Sequence, residues 1–279
     1  MGNEGTTRRT FMRRTATAGA AGWAMMQGRA AGAARTIGAN DRINLGLIGC
    51  GGRGRWIMKN MVEPAKANTA LVAVNDIWKH RLETYPREAE QLYGHKPKAY
   101  ADYRELLADP DVDAVIIGTP AHQHCGQTID AVQAGKHVYV EKPIAPIAQD
   151  LEILKKCHDT CGASTLAVQN GSQGVSCPAA RAVRGFVQEQ KLGKLFRAES
   201  TESAPVPYWV HYKGPETEAD TDWQAFLYGR EGRPFDAHMH ACWMGYHDFS
   251  SGPIGGWMSH FINTLHFVTE CGFPKAATA

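Results

Sequence analysis

Residues 43–54 read INLGLIGCGGRG, an apolar run that leads into the glycine-rich turn GCGGRG at 49–54. The turn has the spacing G-x-G-x-x-G, in which each glycine has a separate physical role. Gly49 permits the sharp turn, Gly51 lets a phosphate approach bare backbone, and Gly54 lets the following helix pack closely on the strand. A pyrophosphate would then lie at the positive end of that helix. The stretch therefore predicts a dinucleotide-binding strand, turn and helix, with a flexible glycine-rich loop as the alternative.

Beyond the turn, apolar runs alternate with helical stretches, which is the pattern of a parallel sheet covered by helices on both faces. Six strands are expected in all. Those that can be placed after the turn lie at 70–75, 114–117, 137–140 and 165–168. The expected helices lie at 78–93, 124–134 and 148–160. The sequence therefore predicts an α/β fold with a doubly wound parallel sheet of the Rossmann type.

Asp76 ends the second expected strand, about 20 residues beyond the glycine turn, where an acid accepts hydrogen bonds from an adenosine ribose. An aspartate at a strand end is also a common helix cap, which is the alternative for this residue. No arginine follows Asp76 directly, and this favours NAD over NADP. Lys79 and Arg81 are near enough in the sequence to leave NADP open.

Polar residues follow two of the later strands. Residues 119–124 (TPAHQH) come after the fourth strand and residues 141–143 (EKP) after the fifth, so both lie at the carboxyl edge where open α/β sheets bind ligands. Lys142 would face the nicotinamide, where burial and a cationic ring would lower its pKa towards values useful for proton transfer. An exposed loop lysine is the alternative, and His122 and His124 are equally well explained as residues of a helix start.

The first 33 residues carry the features of an export signal. Residues 7–13 (TRRTFMR) place two arginines before a hydrophobic residue, an Ala/Gly-rich stretch covers 15–26, and 31–33 (AGA) offers a cleavage site. The stretch is too short and too weakly apolar for a membrane span, which needs about 20 apolar residues. We expect residues 1–33 to be a twin-arginine signal peptide, handled by the twin-arginine export machinery, and the protein to be periplasmic or otherwise exported. A disordered basic tail is the alternative.

The remaining chain of about 245 residues is long enough for one large or two modest domains. Five arginines lie in the expected signal, so the rest of the chain is closer to neutral than the formal net charge of +2 implies. This balance argues against nucleic acid or an anionic membrane surface as a partner. The seven cysteines show no C-x-x-C spacing, and we expect free thiols rather than a disulfide framework.

These features together resemble the Gfo/Idh/MocA oxidoreductases. The resemblance is carried by the glycine turn, Asp76, the T-P-x-x-x-H of 119–124, the EKP of 141–143 and the KLGK of 191–194. It implies an N-terminal Rossmann domain that binds NAD or NADP, here residues 40–172. It also implies a C-terminal α+β domain with an open antiparallel sheet, here residues 173–279, which covers the nicotinamide and often pairs subunits. Substrates of the family are mostly sugars, inositols and their derivatives.

The resemblance also implies roles for individual residues. Lys142 would be the catalytic lysine, in a peptide bond before Pro143 that is usually cis. The turn and the resemblance together predict a set of cofactor-binding residues, namely Gly49, Gly51, Gly52, Arg53, Gly54, Asp76, Thr119, Pro120, His124, Glu141, Lys142 and Asn170.

The second domain departs from the family pattern. Family members commonly carry an aspartate four residues ahead of a histidine at a glycine-rich helix start, but this chain has Gly256 ahead of His260 and Asn263 where a later aspartate is frequent. His260 is therefore the candidate base, with a capping or core histidine as the alternative. The chain ends in PKAATA at 274–279, and we expect it to be truncated relative to the family.

The run DAHMH at 236–240, followed by His247 and Asp248, raises the question of a metal site, because alternate residues on a strand point to one side. We regard this as the weaker interpretation and predict no metal. Tryptophans and tyrosines surround the run and would suit a carbohydrate pocket, although such residues more often form core.

The leading prediction is an exported NAD(P)-dependent oxidoreductase acting on a CH–OH group of a sugar, inositol or related polyol, with Lys142 and His260 handling the hydroxyl proton. A tightly bound cofactor is expected, because an exported enzyme has no ready pool of free NAD. One alternative is an NAD-dependent glycoside hydrolase of the same superfamily, which Lys142 argues against. Another is a truncated, non-catalytic nucleotide-binding remnant. A homo-oligomer is expected if the protein is full length.

Overall fold

The computed structural model describes residues 42–65, 68–199, 208–272 and 275–276. The expected signal peptide, residues 1–33, lies outside the described residues. Among the helices that are described, none has both the length and the apolar character needed to cross a membrane.

Six strands form a single parallel sheet. They are β1 (Ile43–Ile48), β2 (Thr69–Asn75), β3 (Lys98–Tyr100), β4 (Ala114–Ile117), β5 (His137–Glu141) and β6 (Val168–Gly171). Their order in the sheet is β3-β2-β1-β4-β5-β6, and every neighbouring pair is parallel. The chain turns in opposite directions from the central β1, which opens a crevice beyond the carboxyl ends of β1 and β4. The predicted doubly wound Rossmann sheet is confirmed.

Helices connect the strands and cover the sheet. They are α1 (Gly52–Ile57), continued by a π-helical turn at Met58–Val62, then α2 (Lys79–Tyr93), α3 (Tyr103–Ala108), α4 (His124–Gln133) and α5 (Leu151–Gly162). Residues at the ends of these helices explain where the helices begin and end. The side chain of Asp102 caps α3 by accepting from the backbone N–H of Arg104, and Gly94 ends α2 in the left-handed conformation.

Successive residues of β4 show how the sheet is buried on both faces. Val115 and Ile117 pack in the same apolar cluster as α3 and α4, whereas Ile116, between them, packs in the cluster that holds α1 and α2. All three side chains are at most 4% exposed. A strand that is buried on both faces has a continuous run of apolar residues. For this reason β1 and β4 could be predicted accurately from the sequence.

The two edge strands of the sheet differ from the prediction. The short β3 was not placed from the sequence, because an exposed edge strand has no apolar run to mark it. The sixth strand was predicted at 165–168 but begins only at Val168. Ahead of it the chain turns, with the Ser164 hydroxyl accepting from the backbone N–H of Leu166 (3.0 Å). The exposed Gln169 and Asn170 then supply half of the strand, and because they are polar the strand could not be recognised from an apolar run.

The described residues after β6 form helices and no named strand. These helices are α6 (Pro178–Gln188), α7 (Trp223–Leu227), α8 (Ala237–Ala241) and α9 (Gly252–Thr269). In place of the predicted antiparallel sheet, the described part of 173–279 contributes one isolated antiparallel bridge, between Thr221 and Trp78. The extended stretches here end at aspartates that start helices, because the side chains of Asp222 and Asp236 cap α7 and α8.

An aromatic cluster attaches the C-terminal part to the carboxyl edge of the sheet. Trp223, Phe226 and Phe249 are almost wholly buried in it, and Ile77 packs against them. Ile77 directly follows Asp76 at the end of β2. The C-terminal part therefore lies beside the crevice of the Rossmann sheet.

The packing of α1 on β1 yields a stability prediction. In Gly54→Ala, the new methyl would overlap the backbone carbonyl oxygen of Gly49 and lie 3.1 Å from the side chain of Leu47. Because backbone must move to relieve the overlap, we expect a loss of about 2 kcal/mol in the free energy of unfolding. Urea denaturation followed by circular dichroism measures it.

The control is Gly52→Ala, where the new Cβ has no atom within 4 Å. It should change the free energy of unfolding by less than about 0.5 kcal/mol. Equal stability of the two variants would show that the helix is not held against the turn as described.

Candidate functional site

A cleft of about 1900 Å³ lies at the carboxyl ends of the strands. One wall is formed by the glycine turn and by the turns after β2, β4 and β5, and the other by residues of the C-terminal part. Most of the predicted cofactor-binding residues line it, namely Gly49, Gly51, Gly52, Arg53, Asp76, Thr119, Pro120, His124, Glu141 and Lys142. Gly54 lies beneath the turn, and Asn170 lies outside the lining.

The glycine turn presents bare backbone to the cleft. Gly49 has a φ of 91°, in the region that glycine favours, and a Cβ there would lie 2.9 Å from backbone atoms of Gly118. Gly52 faces open space. A Cβ at Gly51 would meet the guanidinium of Arg81 at 3.1 Å, so this arginine lies beside the turn. The open backbone at the start of a helix fits the pyrophosphate of a dinucleotide.

Asp76 is held at the turn rather than only capping a helix. One carboxylate oxygen accepts from the backbone N–H of Cys50 and the other from that of Trp78, each at 2.9 Å. Arg81 lies 3.8 Å from the carboxylate. Burial raises the pKa of Asp76, and the positive charge of Arg81 opposes that shift. The acid therefore lies at the end of β2 beside the glycine turn, and its contact with a ribose stays a prediction.

Thr119 and His124 hold the turn after β4. The Thr119 hydroxyl donates to the side-chain oxygen of Gln127 (2.7 Å). The two ring nitrogens of His124 face the carbonyl oxygens of Pro143 (2.8 Å) and Thr119 (2.9 Å), and the side chain is 1% exposed. Burial lowers the pKa of His124. In this structure His124 joins the turns after β4 and β5, with little surface left for a cofactor.

Arg53 and Glu141 form an ion pair across the cleft floor. The guanidinium of Arg53 lies 2.9 Å from the carboxylate of Glu141, which is 4% exposed and also accepts from the Tyr139 hydroxyl at 3.2 Å. Arg53 reaches Gln173 at 3.4 Å and stacks over Trp56. The pair connects the start of α1 to the end of β5, beside Lys142.

Lys142 points from the end of β5 towards α9. The peptide bond before Pro143 is cis, as the resemblance implied. The ammonium group donates to the backbone carbonyl of Gly256 (2.9 Å) and lies 5.9 Å from the ring centre of Trp257. Burial lowers the pKa of Lys142, Glu141 opposes the shift, and Arg53 adds to it. The burial and the lowered pKa of Lys142 agree with the expectation, and its position facing the nicotinamide stays a prediction.

His260 lies on α9, one helical turn beyond Gly256, and lines the same cleft as Lys142. It is half-buried, with its ring centre 6.1 Å from that of Trp257. Burial lowers the pKa of His260, and the positive charge of Lys142 lowers it further. The structure thus brings the two predicted catalytic residues together, although 118 positions separate them in the sequence.

Asn170 has a supporting position. Its side-chain amide donates to the carbonyl oxygens of Val140 and Glu141, both at 3.3 Å. The side chain thereby ties β6 to the end of β5, next to Lys142. A direct cofactor contact remains a prediction for this residue.

The histidines considered as metal ligands lie on the short helix α8 rather than on a strand. His238 is exposed and bonds to the hydroxyl of Tyr246 (2.8 Å), whereas His240 is buried. Residues two apart on a helix point in different directions, so the strand argument does not apply. In the described part of the chain, no three potential ligand residues are grouped to hold a metal ion.

The sequence did not single out several residues that shape the cleft. Arg81 was noted only as a nearby cation, yet it lies against both Asp76 and Gly51. Trp223 was noted only as part of a region rich in tryptophan and tyrosine, and Phe226 was not noted. Their position depends on contacts with residues more than a hundred positions away, as in the 2.7 Å bond between His122 and the Phe226 carbonyl. No local pattern could have revealed this.

The fold and the cleft are those of a Rossmann-type dinucleotide-binding domain. Residues 43–169 match the model of the Gfo/Idh/MocA family, described as an oxidoreductase family with an NAD-binding Rossmann fold. The match covers the Rossmann part of the chain, which is similar to that family. An oxidoreductase structure from Thermotoga maritima is similar with a TM-score of 0.58, at 20% identity over 82% of this chain and 60% of that chain.

Three curated relatives show the range of the similarity. A 1,5-anhydro-D-fructose reductase of Ensifer adhaerens is 29% identical over 65% of this chain and 59% of its own length. An inositol 2-dehydrogenase of Burkholderia multivorans is 34% identical over 38% of this chain and 30% of its own. A glycosyl hydrolase family 109 protein of Shewanella sp. (strain ANA-3) is 26% identical over 86% and 50%. The chain thus spans at most about three fifths of these relatives.

The contact between Lys142 and α9 yields a prediction about charge. In Gly256→Asp, a carboxylate would stand next to the ammonium group, and the Cβ at this position meets no atom within 4 Å. Because a nearby negative charge favours the protonated amine, we expect the pKa of Lys142 to rise. Carbon NMR of the lysine side chains against pH measures the shift, and Lys142→Arg assigns the signal.

The matched control is Gly256→Ala, which adds a side chain without charge. It should leave the pKa of Lys142 where it is while making α9 more stable by about 0.5–1 kcal/mol, since glycine weakens a helix interior. A lysine signal that moves equally in both variants would rule out the proposed charge contact.

Proposed function

We propose that this protein is an NAD(P)-dependent oxidoreductase that acts on a CH–OH group of a sugar, inositol or related polyol. The observation that carries the proposal is the meeting of Lys142 and His260 in one cleft with the glycine turn and Asp76. The match of residues 43–169 to the model of an oxidoreductase family with an NAD-binding Rossmann fold supports it.

The residues of the cleft fit a dinucleotide. The bare backbone at Gly51 and Gly52 suits the pyrophosphate, and Asp76 at the end of β2 suits the ribose hydroxyls. When bound, the nicotinamide supplies hydride acceptance or donation. The site favours NAD, because a 2′-phosphate would meet the carboxylate of Asp76, whose nearest cation is already engaged with it.

Lys142 and His260 would share the handling of the hydroxyl proton. The lowered pKa of His260 keeps its imidazole neutral near pH 7, so that a ring nitrogen can accept the proton of the substrate hydroxyl. Lys142, held by the carbonyl of Gly256, would stabilise the charge that develops on the oxygen. The hydroxyl oxygen loses its proton and the carbon that bears this oxygen loses hydride, which leaves a carbonyl group.

The relatives and the wall of the cleft support a sugar, inositol or related polyol as the substrate class. The relatives include a reductase of an anhydro sugar and an inositol dehydrogenase. Trp257 presents an aromatic face next to Lys142, and aromatic faces with polar tips nearby suit the apolar side of a sugar ring. We extend these properties to the present protein as a proposal.

Export and cofactor retention belong to the same proposal. The twin arginine and the AGA segment of residues 1–33 support export to the periplasm through the twin-arginine machinery. A protein in that compartment needs a cofactor that stays bound and is recycled within each turnover. Pairing of subunits is proposed from the family resemblance alone.

A glycoside hydrolase that uses NAD is the second candidate. It is favoured by the similarity to the glycosyl hydrolase family 109 protein, which extends over 86% of this chain and so beyond the Rossmann domain. Lys142 argues for the dehydrogenase, because the hydrolase branch that we considered lacks a lysine at this position. The two functions differ in whether reduced cofactor accumulates.

The first experiment identifies the cofactor and the reaction. Purified protein is denatured, and any released nucleotide is identified by absorbance and chromatography. The intact protein is then given a panel of sugars, inositols and aryl glycosides. Growth of the reduced-nicotinamide absorbance supports the dehydrogenase, and glycoside cleavage without it supports the hydrolase. Folded protein that carries no nucleotide and takes up none would refute both.

Replacement of the proposed catalytic lysine gives a sharper test. In Lys142→Met, we expect kcat to fall by about 10²–10⁴-fold, the usual contribution of proton-transfer assistance. The affinity for NAD should change little, because Asp76 and the glycine turn remain. The control is Lys155→Met, an exposed lysine on α5, which should keep full activity. Equal kcat values in both variants would show that Lys142 takes no part in the reaction.

The position of Arg81 predicts a change in cofactor preference. In Asp76→Ser, the guanidinium loses the carboxylate that lies 3.8 Å away and becomes available to a 2′-phosphate. We expect the ratio of NADP to NAD affinity to rise by about tenfold, the equivalent of one good charged hydrogen bond. Calorimetric titration with both cofactors measures the ratio. The double variant with Arg81→Met should lose the gain, and a gain that persists would exclude Arg81 as its source.

A further inference from the structure

A segment of the C-terminal part is attached to the turn that carries Asp76. The backbone carbonyl of Ile77 accepts from the N–H of Asp222 (3.1 Å) and from the hydroxyl of Thr221 (3.2 Å). Thr221 also forms the antiparallel bridge to Trp78. The segment is therefore hydrogen-bonded to the residues that directly follow Asp76, the proposed ribose-binding acid.

The same segment is attached to the turn after β4. The backbone carbonyl of Phe226 accepts from the ring of His122 (2.7 Å) and from the side-chain amide of Gln123 (3.1 Å). In the sheet, β1 lies between β2 and β4. A segment that is bonded to the turns after β2 and β4 therefore spans the crevice beyond β1. We call residues 217–241 the clamp.

The clamp contributes aromatic side chains to the wall of the cleft. Trp223 and Phe226 stack on each other with ring centres 4.9 Å apart and planes inclined by 8°, and both line the cleft. Ile77 packs against this pair, so the wall is close to the end of β2. Because Trp223 and Phe226 are almost wholly buried, they support the side of the cleft that holds Asp76 and Arg81 from behind and leave little aromatic surface for a ligand.

His240 is the polar residue of the clamp with unused hydrogen-bonding capacity. Its side chain is 8% exposed, its ring lies 4.7 Å from that of Phe226, and it forms part of the cleft wall. Both ring nitrogens are buried, and neither has a hydrogen-bond partner in the part of the chain that the structure describes. A buried polar group without a partner is costly and calls for an explanation.

The charge state of His240 restricts what it can bind. Burial and the positive charge of Arg81 lower the pKa of His240 to about 4. The ring is therefore neutral near pH 7 and offers one donor and one acceptor. Arg81, which lies beside Asp76, lines the same cleft as His240. Ribose hydroxyls and the edge of adenine carry both donors and acceptors, and they match a neutral imidazole better than an anion does.

We propose that the clamp closes over the adenosine half of the dinucleotide and that His240 is its polar contact with that half. This inference rests on the proposed cofactor site and adds to it a set of binding residues outside the Rossmann domain. Because the clamp is bonded to two separate turns, it also slows the departure of the adenosine half.

The test uses fragments of the cofactor with the variant His240→Leu. Calorimetry measures the affinity of the protein for NAD, for ADP and for nicotinamide mononucleotide. We expect His240→Leu to weaken NAD and ADP by about tenfold, as for a lost hydrogen bond in a closed site, and to leave nicotinamide mononucleotide unchanged. His240→Gln keeps a donor and an acceptor and should restore part of the ADP affinity.

Two controls separate binding from folding. His238→Leu makes the same change at an exposed position of the same helix and should bind ADP like the wild type. His240→Leu should be as stable as the wild type or more stable, because it removes buried polar atoms without partners. Normal ADP binding by a folded His240→Leu protein would overturn the role of His240.

The attachment of the clamp is tested separately with Thr221→Val, which removes the hydroxyl bond to Ile77. We expect ADP to dissociate several times faster, measured by stopped-flow displacement. Thr84→Val, at a partly buried position of α2 where the hydroxyl bonds to the carbonyl of His80 in the same helix, is the control. An unchanged rate in Thr221→Val would overturn the clamp, whereas a wild-type protein that binds neither NAD nor ADP would overturn the proposed function as well.

Discussion

The close contact between the start of α1 and the end of β1 is the constraint on which the rest of the site depends. Gly54 has no room for a side chain because the carbonyl of Gly49 lies against it, and a Cβ on Gly118 would be 3.1 Å from Gly54. Three backbone segments therefore meet with nothing between them. This contact aims the first turn of α1 at the crevice and sets the turns after β1 and β4 side by side. A single methyl group in this contact would displace the turns after β1 and β4, which form part of one wall of the cleft.

The charges around the turn are paired in a way that leaves the backbone to bind the phosphates. Arg53 is engaged by Glu141 at 2.9 Å, and Arg81 lies 3.8 Å from Asp76. With both guanidinium groups balanced by buried carboxylates, the N–H groups of the turn and the helix dipole are the main attraction for a pyrophosphate. The pairing also explains the environment of Lys142. Glu141 is the acid next to Lys142 in the chain, but its carboxylate is already paired with Arg53. Burial therefore has the largest effect on the pKa of Lys142 and lowers it.

Local patterns in the sequence predicted the parts of the protein that are determined locally. The spacing of glycines located the turn, continuous apolar runs located β1, β2, β4 and β5, and the EKP run located Lys142 at the end of β5. Edge strands were missed or shifted because their polar faces resemble loops. The clamp could not be predicted at all, since its attachment to Ile77 joins residues 144 positions apart. The predicted antiparallel sheet came from the family resemblance and not from strand-like patterning, and the described residues of that part form helices.

At Gly256 the chain departs from the family pattern, yet Lys142 still has a hydrogen-bond partner at this position. Where the family commonly carries an aspartate, this chain offers only a backbone carbonyl, which accepts from the ammonium group at 2.9 Å. A carbonyl orients the lysine as an acid would, but it brings no negative charge and so does not favour the protonated amine as strongly. The same substitution removes a carboxylate from the neighbourhood of His260, whose pKa is lowered by burial and by Lys142. The pKa values of both groups are thereby lowered, and in the proposed reaction the neutral imidazole of His260 would accept the proton.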